Sequence, residues 1–216
     1  EIIDKARLVS ATPIRPSSRK NYVIALLVGL LAPAAFIFLR DYFNERITDL
    51  DGLERLTGFP VVGQIAHKKE WSENVVFDVP HSPIAEAFRS IRTNFQFIAG
   101  GEEVITTLIT SAGQGEGKSF ISLNLAASFA LYEKKTILVS FDLRRPNLYH
   151  MVDLTKEPGL STYLSDNCTL NEVIRHTEIA DLDVIPAGPV PPNPSELIAS
   201  PRTTELFRQL RKEYKY

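Results

Sequence analysis

Eighteen consecutive residues without a charge, Tyr22 to Leu39 (YVIALLVGLLAPAAFIFL), sit between Arg19-Lys20 and Arg40-Asp41. A helix of that length covers ~27 Å at 1.5 Å per residue, just short of the ~30 Å hydrocarbon core, and outward-reaching flanks supply the rest. Pro33 falls in its middle. In a soluble helix it would cost about 3 kcal/mol, whereas membrane helices tolerate it. The run is also apolar all round rather than along one stripe, so the pattern predicts a single transmembrane helix over 22–39. A cleaved signal peptide does not fit, because the 21 upstream residues are not a short basic segment and no small-residue cleavage site follows.

Beyond the run, Arg40 to Thr57 is charged and helix-like, ended by Gly58 and Pro60, and Val61–Ile65 is a short strand candidate. Polar residues 67–82 read as a linker, and the soluble core is expected to begin near Pro83. From there the pattern predicts a helix over 84–99, a strand over 104–111, a helix over 118–132 and a strand over 136–141. A capping box, Thr169-Leu170-Asn171-Glu172, opens another helix, and 182–187 reads as a further strand. Ser200 as N-cap, with Pro201 at the first helical position, starts a last helix to about Tyr214. This alternation predicts an α/β fold: a doubly wound, mostly parallel sheet with helices on both faces.

Between the strand at 104–111 and the helix after it stands Ala112-Gly113-Gln114-Gly115-Glu116-Gly117-Lys118-Ser119, which fits the phosphate-loop pattern [AG]-x-x-x-x-G-K-[ST]. Glycines let backbone N–H groups close around the β-phosphate, Lys118 neutralises charge on the β/γ-phosphates, and the Ser119 hydroxyl can ligate Mg²⁺. The expected fold is therefore that of a P-loop NTPase with nucleotide at the carboxyl ends of the strands, and Gly113, Gln114, Gly115, Glu116, Gly117, Lys118, Ser119 and Phe120 are the expected nucleotide-binding residues, with ATP and Mg²⁺ as cofactors.

The 216 residues are 44% hydrophobic with a net charge of −2, which fits a folded protein and points to no nucleic acid. One cysteine, Cys168, excludes an intrachain disulfide framework, and His67, His81, His150 and His176 lack metal-ligand spacing. The chain opens at Glu1 without an initiator Met and closes at Tyr216 after an expected helix, so it is expected to be a piece of a longer protein. Charge and nucleotide disagree on orientation. Lys5, Arg7, Arg15, Arg19 and Lys20 outnumber Arg40, Arg46 and Arg55, which would place the N-terminal flank in the cytoplasm. A phosphate loop works only where ATP is, so residues 40–216 are expected inside and 1–21 outside, with orientation set by an earlier helix.

At this point the residues resemble the bacterial tyrosine kinases fused to chain-length-determinant (Wzz-type) membrane modules, the polysaccharide co-polymerases. The resemblance runs over nearly the whole chain. It rests on the proline-rich approach and span at 13–39, GFPVVGQI at 58–65, EAFRSIRTNF at 86–95, SAGQGEGKS at 111–119, SFDLRRPNL at 140–148 and LDVIPAGPVPPNPSELIASP at 182–201. It implies four regions: 1–21 as the end of a periplasmic chain-length region, 22–39 as the second of two spans, 40–82 as a juxtamembrane segment, and 83–216 as the first part of a cytoplasmic kinase domain. The Walker B strand and a tyrosine-rich tail would follow Tyr216. It further implies an inner-membrane, ATP-dependent tyrosine autokinase controlling capsular or extracellular polysaccharide, working with the polymerisation and export machinery and a cognate tyrosine phosphatase.

The resemblance also makes Glu86, Arg89 and Arg92 an E-x-x-R-x-x-R motif that joins subunits into a ring-like homo-oligomer, on a spacing that places all three along one helix face. Residues 137–144 resemble the family's second motif, apolar residues followed by D-x-D-x-R. Asp142 and Arg144 match, and Asp142 is implied as a metal and catalytic residue beside Lys118. Ser140 stands where the first aspartate is expected. A serine neither takes a proton nor holds metal-bound water as a carboxylate does, and general-base assistance is worth roughly 10²–10⁴-fold. Two other readings follow: a membrane scaffold whose nucleotide domain gates assembly, and a MinD/ParA-like partitioning or septum-site ATPase. The last carries an extra lysine where this chain has Gly113.

Overall fold

The computed structural model describes residues 18–43, 50–66 and 72–216; Lys5, Arg7, Arg15, Arg46, His67 and the rest of the approach before Ser18 lie outside the described residues. The chain divides into two units, Glu1–Phe59 and Pro60–Tyr216. The first holds α1 (Ser18–Tyr42) and α2 (Leu50–Thr57). Helix α1 contains the whole uncharged run with Pro33 inside it. Among the described residues it is the one helix long and apolar enough to cross a membrane by length and composition. The helix-like stretch expected over 40–57 becomes the end of α1 and a separate α2, which stops at Gly58, where φ is +71°.

The second unit runs through α3 (Val75–Asp78), α4 (Pro83–Ile98), α5 (Lys118–Ala130), β1 (Thr136–Val139), α6 (Leu148–Met151), α7 (Leu160–Leu164), α8 (Leu170–Val173), β2 (Arg175–His176), β3 (Leu182–Ile185), α9 (Pro194–Ile198) and α10 (Pro201–Leu210). Local capping sets several of these starts. The Ser82 hydroxyl accepts the Ala85 N–H at 3.1 Å with Pro83 at the first helical position of α4. Ahead of α8, Glu172 Oε2 accepts from both the Thr169 N–H and its hydroxyl at 2.7 Å. Ser200 does take the N-cap position of α10, but its hydroxyl makes no capping bond.

The sheet among the described residues has the order β1-β3-β2. Strands β1 and β3 are parallel, Thr136 opposite Leu182 through Val139 opposite Ile185, and β2 pairs antiparallel with β3. Successive side chains of a strand point to opposite faces. Leu138, Leu182 and Val184 accordingly join one core with Phe88 of α4 and Leu123 and Phe129 of α5. Ile137, Val139 and Ile185 join a second core with Leu160 of α7 and Leu206 and Leu210 of α10. Helices thus cover both faces of the β1/β3 pair, as a doubly wound arrangement requires. The described sheet itself is small and mixed, because β2 runs against its neighbour.

Two expected strands do not form. In the 104–111 segment, Ile105 donates to the Lys215 carbonyl at 2.9 Å, while Ile137 donates to the Tyr216 carbonyl at 2.9 Å and Lys215 donates to Lys135 at 2.8 Å. Lys215 and Tyr216 therefore bond to both the 104–105 stretch and the edge of β1, and a single bond on the 105 side is not a ladder. Segment 61–65 is held by a side chain instead, Asn94 Nδ2 donating to the Val62 carbonyl at 3.0 Å. The core also starts earlier than expected. Val75 and Val76, within the stretch read as a linker, are completely buried beside α4 and α5.

The entry to α7 is a close backbone contact. Leu160 and Ser161 donate to the carbonyls of Pro186 and Ala187 at 2.7 and 2.9 Å, just beyond the end of β3. A Cβ added to Gly159 would stand 2.4 Å from the Gly188 nitrogen, and one added to Gly188 would stand 2.7 Å from Ser161 Oγ.

Candidate nucleotide site

The loop before α5 turns on two glycines in the left-handed region, Gly115 at φ +74° and Gly117 at φ +91°, which residues with a Cβ adopt at a cost. Gly117 is the N-cap of α5 and offers no side chain there. The first intrahelical bond is Ile121 N–H to the Gly117 carbonyl, at 2.8 Å. The first-turn amides of Lys118, Ser119 and Phe120 have no intrahelical acceptor, which is the arrangement that receives a phosphate.

Lys118 opens α5, and its Nζ donates to the Gly113 carbonyl at 2.8 Å and to Ser111 Oγ at 3.1 Å. The Ser111 hydroxyl donates to that same Gly113 carbonyl at 2.9 Å. Gly113 also donates its N–H, part of the preceding peptide group, to Glu116 Oε2 at 3.0 Å. The Gly113 amide, the Ser111 hydroxyl and the Lys118 ammonium hold the Glu116 carboxyl below the usual carboxylate range.

The stretch after β1 approaches the loop from the sheet side. Ser140 is fixed by its N–H to the Ile185 carbonyl at 3.0 Å, extending the β1/β3 pairing by one residue. Asp142 Oδ1 accepts the Arg145 N–H at 2.9 Å, and Arg145 reaches back to Gln114 of the loop at 2.6 Å. Arg144 turns elsewhere, donating to Ser195 Oγ at 3.3 Å. Lys118, Ser119, Ser140 and Asp142 all line one cavity of about 480 Å³ between the 104–110 segment and β1. Among its lining residues Asp142 is the acidic one.

The donors present fit a nucleotide phosphate with Mg²⁺. A lysine ammonium, free helix amides and a serine hydroxyl converge on the loop, and Asp142 adds a carboxylate to the same cavity. No group of three or more His, Cys, Asp or Glu side chains among the described residues could hold a metal by itself. A cation there would accordingly rely on Ser119, Asp142 and the oxygens of the nucleotide. Phe120 is different from its neighbours: its ring packs edge-on against Phe88 at 5.8 Å, so only its backbone belongs to the loop.

The three motif residues of α4 do not share one environment. Arg89 pairs with Glu86 at 2.7 Å and donates to the Pro80 carbonyl at 2.5 Å. Arg92 turns inward, donating to the Ser128 carbonyl at the end of α5 at 2.8 Å, with its guanidinium 4.6 Å from the Tyr132 ring centre. Sequence reasoning missed Ser111, Arg145 and Asn124. Asn124 is completely buried in α5; its amide donates to the carbonyls of Glu73 and Phe120 at 2.8 and 2.9 Å. Arg145 could have been suspected as the second arginine of SFDLRRPNL, while nothing local marks Asn124.

No protein-family model matches the chain. CapB of Staphylococcus aureus, named as a tyrosine-protein kinase, is 39% identical over 141 residues, covering 65% of this chain and 62% of that protein. The tyrosine-protein kinase etk of Escherichia coli (strain K12) is 30% identical over 236 aligned positions, 99% of this chain and 32% of its own length. The chain therefore spans less than two thirds of either relative. Among solved structures, the kinase domain of the Escherichia coli tyrosine kinase ETK superposes with a TM-score of 0.72 at 31% identity, covering 79% of this chain and 71% of that one.

Proposed function

The chain belongs to the bacterial tyrosine-protein kinases, and from that premise we propose that it acts in an ATP-dependent protein-tyrosine autokinase of the inner membrane, regulating the polymerisation and export of capsular or extracellular polysaccharide. The observation that carries this reading is the meeting of Lys118 and Ser119 with Ser140 and Asp142 around one cavity. Lys118 neutralises the β/γ-phosphates from a position fixed by Gly113 and Ser111, and the free amides of α5 hold phosphate oxygens. Ser119 and Asp142 would hold Mg²⁺, which would supply electrostatic stabilisation of charge on the transferred phosphoryl group. Arg145 ties the segment carrying Asp142 to Gln114, which keeps the two halves of the site in register.

In this reading α1 is the membrane span, residues 40–216 lie in the cytoplasm and 1–21 in the periplasm, and a Wzz-type chain-length region precedes the span. Ring-like self-assembly through the α4 face, the polysaccharide machinery as partner and a phosphatase that resets the tyrosines complete it. A second reading keeps the nucleotide and drops the chemistry: Ser140 places a hydroxyl where the family's first aspartate is expected. The chain would then serve a scaffold whose assembly responds to ATP. Incubating the full-length protein with Mg-ATP and blotting for phosphotyrosine separates them. A signal that disappears in Lys118→Met supports the kinase; no phosphotyrosine despite normal ATP binding supports the scaffold; unchanged ATP affinity in Lys118→Met removes both.

A further inference from the structure

Glu116 occupies a position that the phosphate-loop pattern leaves unspecified, yet its side chain is committed within the loop. Gly113 is gripped on both sides, through two successive peptide groups. Its N–H goes to the Glu116 carboxylate, and its carbonyl receives Lys118 Nζ and the Ser111 hydroxyl. Bonds to a charged acceptor are shorter and stronger than neutral ones. The bond to Glu116 anchors the Ala112–Gly113 peptide and so limits the φ and ψ of Gly113, which set the direction of the following peptide, whose oxygen tethers the Lys118 ammonium.

We propose that Glu116 is a positioning residue of the nucleotide site: by accepting the Gly113 amide it anchors the residue whose carbonyl holds Lys118 in place for the β/γ-phosphates. The inference rests on the nucleotide reading given above. A carboxylate close to a polyphosphate also repels it, so the two consequences have opposite signs. Glu116 is solvent-exposed, where repulsion is screened by water and salt, whereas the bond to Gly113 is direct. Positioning outweighs repulsion, and loss of the side chain weakens binding.

The test uses the full-length protein and Mg-ATP titrated calorimetrically against Glu116→Ala, Glu116→Gln and Lys118→Met. Glu116→Ala is expected to weaken ATP binding about tenfold, the scale of a lost bond to a charged acceptor. Glu116→Gln keeps a carbonyl acceptor of the same reach without the charge and is expected to recover most of the affinity. Binding by Glu116→Ala equal to or tighter than wild type overturns the proposal, and so does a Glu116→Gln protein as impaired as the alanine variant. If Lys118→Met also binds normally, the nucleotide reading itself falls. A defect confined to the Glu116 variants' sign or rescue leaves that reading standing.

Discussion

Asn124 Oδ1 accepts the Val76 N–H at 3.0 Å, with Asn124 on the helix that begins with Lys118 and Val76 in the short turn that precedes α4. Both residues are fully buried. The Asn124 amide also serves Glu73, so one side chain satisfies donor and acceptor groups of a segment that has little regular structure of its own. Replacing it by leucine strands the Val76 N–H and the Glu73 carbonyl away from water. The expected cost is about 2–3 kcal/mol, seen as a lower urea midpoint with unchanged slope. A midpoint within error of wild type would show that the 72–79 segment contributes nothing to the fold.

Arg92 and its two motif companions are expected to separate experimentally. Arg92 bonds the last turn of α5 and stacks on Tyr132, so Arg92→Ala should cost about 1–2 kcal/mol in urea unfolding. Glu86 and Arg89 form a neighbouring pair at the surface, and replacing both with alanine should move stability by less than about 1 kcal/mol. If the α4 face joins subunits, that double replacement lowers the mass measured by light scattering. An unchanged mass would remove the face from the assembly, and a stability-neutral Arg92→Ala would contradict its inward role.

Ser140→Asp tests the chemistry. A carboxylate at 140 would share the cavity with Lys118, Ser119 and Asp142. It is expected to raise autophosphorylation of the full-length protein by at least about tenfold, a conservative part of what acid–base assistance supplies. ATP affinity should change much less, because the loop makes the ground-state contacts while a carboxylate beside the attacking hydroxyl acts in the transition state. Equal phosphotyrosine rates for the two forms would leave Asp142, or a residue outside this chain, as the base.

Helix starts were readable wherever the signal is local. The Thr169–Glu172 box involves residues three apart, and the structure realises it; Ser200 and Pro201 begin α10 as read, with no capping bond from the Ser200 hydroxyl. The uncharged run of α1 was readable for a similar reason, being a property of consecutive residues. Strands are different. The β-branched segment at 104–110 has the composition of a buried strand, but a strand exists only with a ladder partner, and its composition does not reveal which backbone lies alongside. The site divides in the same way. Lys118 and Ser119 belong to a dense motif; Arg145 reaches Gln114 across 31 residues and Asn124 reaches Val76 across 48, and no spacing rule connects either pair.

The junction of Gly159 with Gly188 sets a limit on how this chain can vary. Two backbones there run so near each other that the thickness of a single methyl group exceeds the gap between them. Swapping one glycine for another small residue does not relieve this, since even alanine brings the carbon that has no room. The two positions consequently constrain each other: a side chain at either demands that the turn after β3 and the start of α7 move apart together, and the wall of side chains around Ile185, Leu160 and Leu206 would have to be rebuilt around the opening.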